Sequence, residues 1–130
     1  MARGEAVSAR LAIGVGCRAA ARAEDIAALA RQTLGARQGA CAGLFTLLDK
    51  AHHANLRGAA TLLGLPLVGL SAEALGLQTE RLSATSAAAQ KWFGVPSVAE
   101  ASALAGAGEG AKIVASAKTA DIVCAIAEAP

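Results

Sequence analysis

The sequence predicts an α/β protein, a three-layer α/β/α sandwich around a mainly parallel, mixed sheet of about five strands. Apolar residues alternate between strand-like and helix-like spacing as far as Leu70, which is typical of successive βα units. Two β-rich runs, Ala111 to Ala117 and Ile122 to Ala127, are separated by only four residues and predict a closing antiparallel hairpin. The length of 130 residues fits one domain, 1–130, in which 1–9 are predicted to be a flexible extension.

The first half of the chain predicts three strands and two helices. Apolar residues fall at helical spacing at Ile26, Leu29, Ala30 and Leu34, and Gly35 and Gly64 stand where helix C-caps belong. Pro66 is tolerated near the start of a strand, where its missing N–H is harmless. The predicted elements are strand Arg10–Val15, helix Glu24–Leu34, strand Ala42–Leu48, helix His53–Leu63 and strand Leu65–Leu70.

The second half predicts shorter helices before the hairpin. Ser71 caps a turn that Gly76 interrupts, and Ser97 with Glu100 forms a capping box. In that box the serine hydroxyl accepts from a helix amide while the carboxylate accepts from the N-cap amide. The predictions are a turn from Ser71 to Leu75, helices from Ser83 to Phe93 and from Val98 to near Ala105, and a loop holding Gly106, Gly108 and Gly110.

Composition excludes several classes of protein. The chain is 55% hydrophobic and 17% charged, which argues for a folded domain rather than disorder. A net charge of +2, with scattered Lys and Arg, excludes a nucleic-acid-binding stripe. No apolar run approaches the roughly 18 to 20 residues of a membrane span, and the N-terminus has no signal-peptide core, so the sequence predicts a cytoplasmic protein. Cys17, Cys41 and Cys124 lack CxxC spacing, so neither a disulfide framework nor a metal site is indicated.

Ligands bind at the carboxyl ends of parallel strands, so the residues after strands one and two are candidates for function. Gly14, Gly16, Cys17 and Arg18 follow strand one; the glycines allow close backbone approach, and Arg18 offers a fork for a carboxylate or phosphate. An ordinary tight turn explains the same residues. Thr46, Lys50, His52 and His53 lie at the end of strand two, where they suit an anion, a metal or proton transfer, or simply a solvated helix start.

Cys17 and Glu100 are candidates for catalysis, but each also has a structural explanation. Cys17 beside Arg18 and near a helix N-terminus would have its thiolate favoured, with His52 or His53 as the base, but packing or binding also explains it. The capping box accounts for Glu100, and Lys118 is a hairpin surface charge that could point towards the strand ends.

Five stretches match a known family in order and spacing: Gly14–Arg18, Thr46 with Lys50, Leu62–Leu67, Gly94–Leu104 and Val123–Ala127. From Leu11 to Ala127 the chain resembles the cobalamin-biosynthesis family of CobE and the C-terminal domain of CbiG. This resemblance implies that the protein handles a precorrin-type intermediate while the corrin ring is made. Members commonly carry an acidic residue shortly after the conserved lysine, where this chain has His52 and His53.

Precorrin intermediates are macrocycles fringed with carboxylates, which suit cationic side chains. The residues expected to bind one are Gly14, Gly16, Cys17, Arg18, Thr46, Lys50, Ser97, Glu100 and Lys118. One hypothesis is a non-catalytic corrinoid-binding or carrier protein. The other is a small hydrolase or lyase that opens a precorrin ring lactone and releases a two-carbon fragment, with Cys17, His53 or Glu100 moving protons. The expected partners are the intermediate and other enzymes of the pathway; no cofactor is indicated, and a homodimer is open.

Overall fold

The computed structural model describes residues 10–37, 39–83 and 98–130. These ranges hold five strands and four helices, with a 3₁₀ turn, Leu48–Lys50, after the second strand. In chain order the elements are β1 (Arg10–Cys17), α1 (Ala23–Leu34), β2 (Ala40–Leu47), α2 (Ala54–Leu63), β3 (Leu67–Leu70), α3 (Ala72–Ser83), α4 (Val98–Ala107), β4 (Lys112–Lys118) and β5 (Ile122–Ala129).

The sheet has the strand order β3-β2-β1-β5-β4. Strands β1, β2 and β3 are parallel to one another, whereas β5 is antiparallel to both of its neighbours, β1 and β4. Both the mixed five-stranded sheet and the C-terminal hairpin were predicted from the sequence, and both are confirmed.

The two faces of the sheet are packed with different side chains. One face lies under α1 and α2, and its buried cluster is built from large aliphatic residues; we call it the aliphatic face. Its members include Leu11, Ile13, Ile26, Leu44, Leu56 and Ile126. The other lies under α3 and α4, and we call it the alanine face; its buried cluster includes Ala12, Ala99, Ala103, Ala125 and Ala127, with Phe45 and Leu104 as the largest members. Successive residues of a strand point to opposite faces, which is why Ile13 and Gly14 meet different layers.

Helix α4 lies unusually close to β1, and Gly14 is the reason. A Cβ at Gly14 would lie 2.5 Å from the backbone nitrogen of Ala103, and closer still to the carbonyl oxygen of Ala99. The sequence suggested that this glycine lets the backbone approach a ligand. In the structure the backbone that approaches Gly14 is that of α4.

Strand β1 is longer than predicted. The sequence placed its break at Gly16, but Gly16 and Cys17 continue the antiparallel ladder opposite Val123 and Ile122. The loop begins only at Arg18, because β5 provides hydrogen-bonding partners that the local sequence does not reveal.

Two helices also extend beyond their predicted ends. The prediction that Gly76 interrupts a short turn is wrong, since α3 runs from Ala72 to Ser83 after a cap in which the Ser71 hydroxyl accepts from the Ala74 amide at 3.1 Å. A glycine inside a helix costs about 1 kcal/mol relative to alanine, which tertiary packing can offset. Gly106 likewise belongs to α4, and a Cβ there would lie 2.5 Å from the Phe45 ring. The predicted helix Ser83–Phe93 lies, beyond Ser83, outside the described residues, as does Ser97 of the capping box.

Candidate functional site

The candidate residues collect along one edge of the sheet. Because β1, β2 and β3 are parallel, their carboxyl ends share an edge. The β4–β5 turn lies at the same edge, since Cys17 pairs with Ile122 at the beginning of β5. Helix α4 also begins here, with the Val98 Cβ 3.6 Å from the position of a Cβ on Gly16. We call this the carboxyl edge; it comprises residues 16–18, 48–50, 55, 98–100 and 118–122.

Three cationic side chains follow different strands along the carboxyl edge. Lys50 comes after β2, Arg18 after β1, and Lys118 ends β4, and all three are exposed. Strands lie roughly 4.8 Å apart, so the three strand spacings from β2 to β4 place these charges over about 14 Å. A ligand that contacts all three therefore needs several anionic groups spread over a comparable width.

Two carboxylates share the edge with these cations. Asp121 lies 4.0 Å from the Arg18 guanidinium, and the two side chains are 48% and 77% exposed, so solvent weakens the attraction. Asp49 lies beside Lys50 in the 3₁₀ turn. Among the described residues, the ion pair that an anionic ligand would have to displace from Arg18 is therefore long and solvated.

Cys17 is half-buried at the end of β1, and its environment does not favour a thiolate. Burial raises the pKa of the Cys17 thiol, and the nearby positive charge of Lys50 offsets part of that rise. The expectation that Arg18 and a helix N-terminus would favour the thiolate is therefore wrong, because desolvation of the half-buried sulfur outweighs the neighbouring cation.

No base is paired with this thiol among the described residues. The hydrogen-bond partner of the Cys17 sulfur is the amide nitrogen of Asn55, at 3.9 Å. His52 and His53 pack against each other, with ring centroids 4.9 Å apart in an edge-to-face arrangement. The pair that nucleophilic catalysis by Cys17 would require is thus absent from this part of the chain.

Glu100 approaches the edge from the other side of the sheet. Cys17 packs with the aliphatic cluster, while Glu100 lies in the first turn of α4, which covers the alanine face. Glu100 is half-buried, and desolvation raises the pKa of its carboxyl group. The β1 backbone therefore separates the two best candidates for proton transfer.

Thr46 is buried, with 1% of its surface exposed. Its hydroxyl donates to the carbonyl oxygen of Val15 at 2.9 Å, and so links β2 to β1. Thr46 therefore holds together two of the strands that form the edge. Gly14 is similarly internal, whereas Gly16 lies at the edge beneath Val98.

Two residues at the edge were missed by the sequence reasoning. Asn55, in the first turn of α2, contacts the loop after β1, and Leu48 is 55% exposed in the 3₁₀ turn beside Lys50. Leu48 lies over β3, and a Cβ at Gly69 would be 2.7 Å from its Cδ1. A leucine close to a lysine in the polar segment after β2 could have been recognised in the sequence as an apolar contact near an anion-binding side chain. Asn55 gave no such signal, because its contacts lie more than 30 positions earlier in the chain.

An open groove of about 450 Å³ lies beside the carboxyl edge, between α1 and the β4–β5 turn. Its polar lining comes from Arg22, Asp25, Gln32, Thr119 and Asp121. Cys17, Lys50 and Glu100 do not line it. The groove therefore adjoins the carboxyl edge through the β4–β5 turn, at Thr119, Asp121 and Ile122.

The described residues contain neither a metal-binding cluster nor a membrane-spanning helix. No group of three or more His, Cys, Asp and Glu side chains within residues 10–37, 39–83 and 98–130 is arranged to hold a metal ion. None of the helices in those ranges is long and apolar enough to cross a bilayer.

The chain was compared with known families and structures. A family model described as "Cobalamin synthesis G C-terminus" matches residues 11–127. The chain belongs to this family. Membership in the CbiG C-terminal family confirms the resemblance seen in the sequence and makes this a cobalamin-biosynthesis protein.

Two solved structures resemble this member of the CbiG C-terminal family over nearly its whole length. CobE, a protein from the cobalamin (vitamin B12) biosynthetic pathway, is 32% identical, with a TM-score of 0.77 over 95% of this chain and 93% of that one. The cobalamin biosynthesis protein chiG from Agrobacterium tumefaciens str. C58 is 36% identical, with a TM-score of 0.71 over 90% and 96%. A search of curated protein sequences gave no significant match.

Proposed function

We propose that this protein binds a precorrin-type corrinoid intermediate at the carboxyl edge of its sheet and passes it on chemically unchanged. The observation that carries the proposal is the row formed by Lys50, Arg18 and Lys118 across that edge. Precorrins carry acetate and propionate groups around a macrocycle, and a row of separated cations suits such a ligand better than one compact anion.

The apolar part of the macrocycle also has a matching surface. Leu48 is exposed in the same 3₁₀ turn as Lys50, two residues before it, so one turn of chain offers both an apolar contact and a cation. Binding of the ring would remove Leu48 from water, which is favourable. The cations then determine orientation, and Leu48 adds affinity that does not depend on salt.

A carrier role is supported by what surrounds the candidate catalytic groups. The Cys17 thiol has a raised pKa and no imidazole partner, and the sheet lies between it and Glu100. A nucleophile, its base and an orienting group would have to converge for catalysis. Delivery to another enzyme of the pathway, a cytoplasmic location, a single domain over 1–130 and a homodimer stay predictions.

The second candidate function is a hydrolase or lyase that opens a precorrin lactone and releases a two-carbon fragment. It is favoured by Glu100, whose half-buried carboxyl group has a raised pKa and lies at the same edge. A carboxyl group with a raised pKa keeps its proton to higher pH, which suits a general acid. In this case Glu100→Gln would abolish turnover with little loss of affinity.

The deciding experiment is an absorbance titration of the protein with cobyrinic acid and its metal-free counterpart, and with a lactone-bearing precorrin. Mass spectrometry then identifies the ligand recovered from each complex. Binding with return of an unchanged ligand supports the carrier. Recovery of a product lighter by a two-carbon fragment establishes the enzyme, and absence of binding to all three ligands overturns both proposals.

The contribution of the cations is tested by substitution, and β4 provides a matched control. Lys118 and Lys112 lie at opposite ends of β4, so only Lys118 is at the carboxyl edge. We expect Arg18→Ala and Lys50→Ala each to weaken binding about tenfold, Lys118→Ala by less, and Lys112→Ala not at all. Cobinamide, in which amides replace the carboxylates, should bind more weakly than cobyrinic acid and with less dependence on salt.

A further inference from the structure

We propose that Asn55 is the positioning residue of this site. Its side-chain amide holds the loop after β1 so that Arg18 is already placed to meet a ligand carboxylate. The inference rests on the proposed function for its ligand, but the holding of the loop can be measured without one.

The Asn55 amide nitrogen lies against three backbone carbonyls of one short loop. It donates to the Ala21 oxygen at 2.9 Å, with longer contacts to Arg18 at 3.4 Å and to Ala19 at 3.5 Å. The Cys17 sulfur, at 3.9 Å, completes the set. One side chain from α2 therefore binds the end of β1 and nearly the whole loop that follows.

The orientation of this amide is determined by its surroundings. Reversal of the group would place its oxygen against three carbonyl oxygens, which repel it. In the observed orientation the buried Asn55 Oδ1 atom has no hydrogen-bond partner within residues 10–37, 39–83 and 98–130. The contacts of the amide nitrogen with the loop carbonyls therefore favour the observed orientation.

The backbone of Arg18 is held from several directions, while its exposed side chain makes a long ion pair with Asp121. The Arg18 amide donates to the Asp121 carbonyl at 2.9 Å, and the Arg18 carbonyl accepts from the Ala21 amide at 3.0 Å. Asn55 adds the link to α2, the helix that follows Lys50 in the chain. The two cations on neighbouring strand ends thereby share one rigid support, which lowers the ordering cost of binding.

The ligand-free test measures hydrogen exchange in Asn55→Leu. Loss of the amide should speed exchange at the Ala21 amide at least about tenfold, while the β1 amides stay protected. Thr61→Val is the matched control, because the Thr61 hydroxyl donates to the Arg57 carbonyl at 3.0 Å, a bond within α2 that does not reach the loop after β1. Equal exchange at Ala21 in Asn55→Leu and the wild type overturns the proposal.

The ligand-dependent test is a double-mutant cycle with cobyrinic acid as the probe. Asn55→Leu should weaken binding about tenfold, and Arg18→Ala added to it should then cost less than about twofold, because Arg18 is no longer positioned. Lys50→Ala should keep its full effect in the same background. A purely structural role would lower the Tm and leave the two losses additive, which would overturn the proposal.

Asn55→Asp provides a variant that retains the side-chain shape. Its ionised carboxylate would face the carbonyls that Asn55 now donates to, so their dipoles would raise its pKa. Affinity should therefore fall as pH rises through that pKa, relative to the wild type, and recover when the acid is protonated and donates to Ala21. A ratio of affinities that does not change with pH would contradict the mechanism. If the wild type binds no corrinoid, the proposed function fails, and the exchange measurement alone decides whether Asn55 holds the loop.

Discussion

The two faces of the sheet are packed by opposite means. On the aliphatic face, α1 and α2 are joined to the strands by branched side chains such as Ile13, Ile26 and Leu44. On the alanine face, α4 rests almost directly on the β1 backbone, because Gly14 has no side chain and Ala103 has only a methyl group. Two adjacent residues of β1 thus serve the packing in opposite ways. Ile13 fills one face with its side chain, and Gly14 lets α4 approach the other because it has none.

This difference has a consequence for the carboxyl edge. The aliphatic face places Cys17 and Asn55 at the edge through side-chain contacts, whereas the alanine face places Val98 and Glu100 there through backbone proximity. A cavity on the first face removes stability, while an added atom on the second moves a helix that reaches the site. Stability and site geometry should therefore respond differently to substitutions on the two faces.

The largest effect is expected for Ile13→Ala on the aliphatic face. Ile13 is fully buried, so its truncation removes apolar contacts and leaves a cavity, at a cost of about 4 kcal/mol in the free energy of unfolding. Denaturant unfolding measures the loss. Corrinoid affinity of the folded protein should change little, and a large loss of affinity without a loss of stability would contradict the comparison.

Gly14→Ala should destabilise nearly as much, by about 3 kcal/mol, for the opposite reason. The added Cβ would meet the Ala99 and Ala103 backbone, so α4 has to shift. Gly16→Ala is the matched control on the same face, since the nearest atom to its Cβ would be 3.6 Å away. We expect that variant to unfold at the same denaturant concentration as the wild type or slightly above it. Equal destabilisation by the two alanines would refute the close approach at Gly14.

Thr46→Val should cost about 1 kcal/mol through loss of the bond to the Val15 carbonyl. The effect of Thr46→Val on corrinoid affinity shows whether Thr46 contacts the ligand. We expect no change in affinity, because Thr46 acts between β1 and β2. A tenfold loss of affinity at unchanged stability would instead make Thr46 a ligand contact, as the sequence predicted.

The smallest effect is expected for Glu100→Gln, and it depends on pH. Because desolvation raises the pKa of Glu100 in the folded state above its ordinary value of 4.5, folding favours the protonated acid. Wild-type stability should fall as pH rises from 4.5 through the raised pKa, relative to Glu100→Gln. Unfolding measured at pH 4 and pH 7.5 should show the variant gaining at the higher pH. A difference that is the same at both pH values would contradict this assignment.

Much of this architecture was accessible from the sequence. Apolar spacing predicted the order of strands and helices, and the four-residue separation before Ile122 predicted the hairpin. Because β1 and β2 are parallel, the residues that follow them, Arg18 and Lys50, lie at one edge, as predicted. Element ends were less accessible, because the extension of β1 to Cys17 depends on β5, and the continuation of α4 through Gly106 depends on Phe45.

The sequence by itself determined the fold class, the family and the cationic strand ends, since periodicity, turn residues and motifs act over a few neighbouring positions. Only the tertiary structure decided that Gly14 serves helix packing, that Thr46 is internal, that Cys17 and Glu100 lie on opposite sides of the sheet, and that Asn55 holds the loop of Arg18. Each of these depends on atoms that are distant in the chain, as Gly14 is from Ala103 and Asn55 from Ala21. Local sequence patterns do not reveal such contacts, because the contacts form only when the layers pack together.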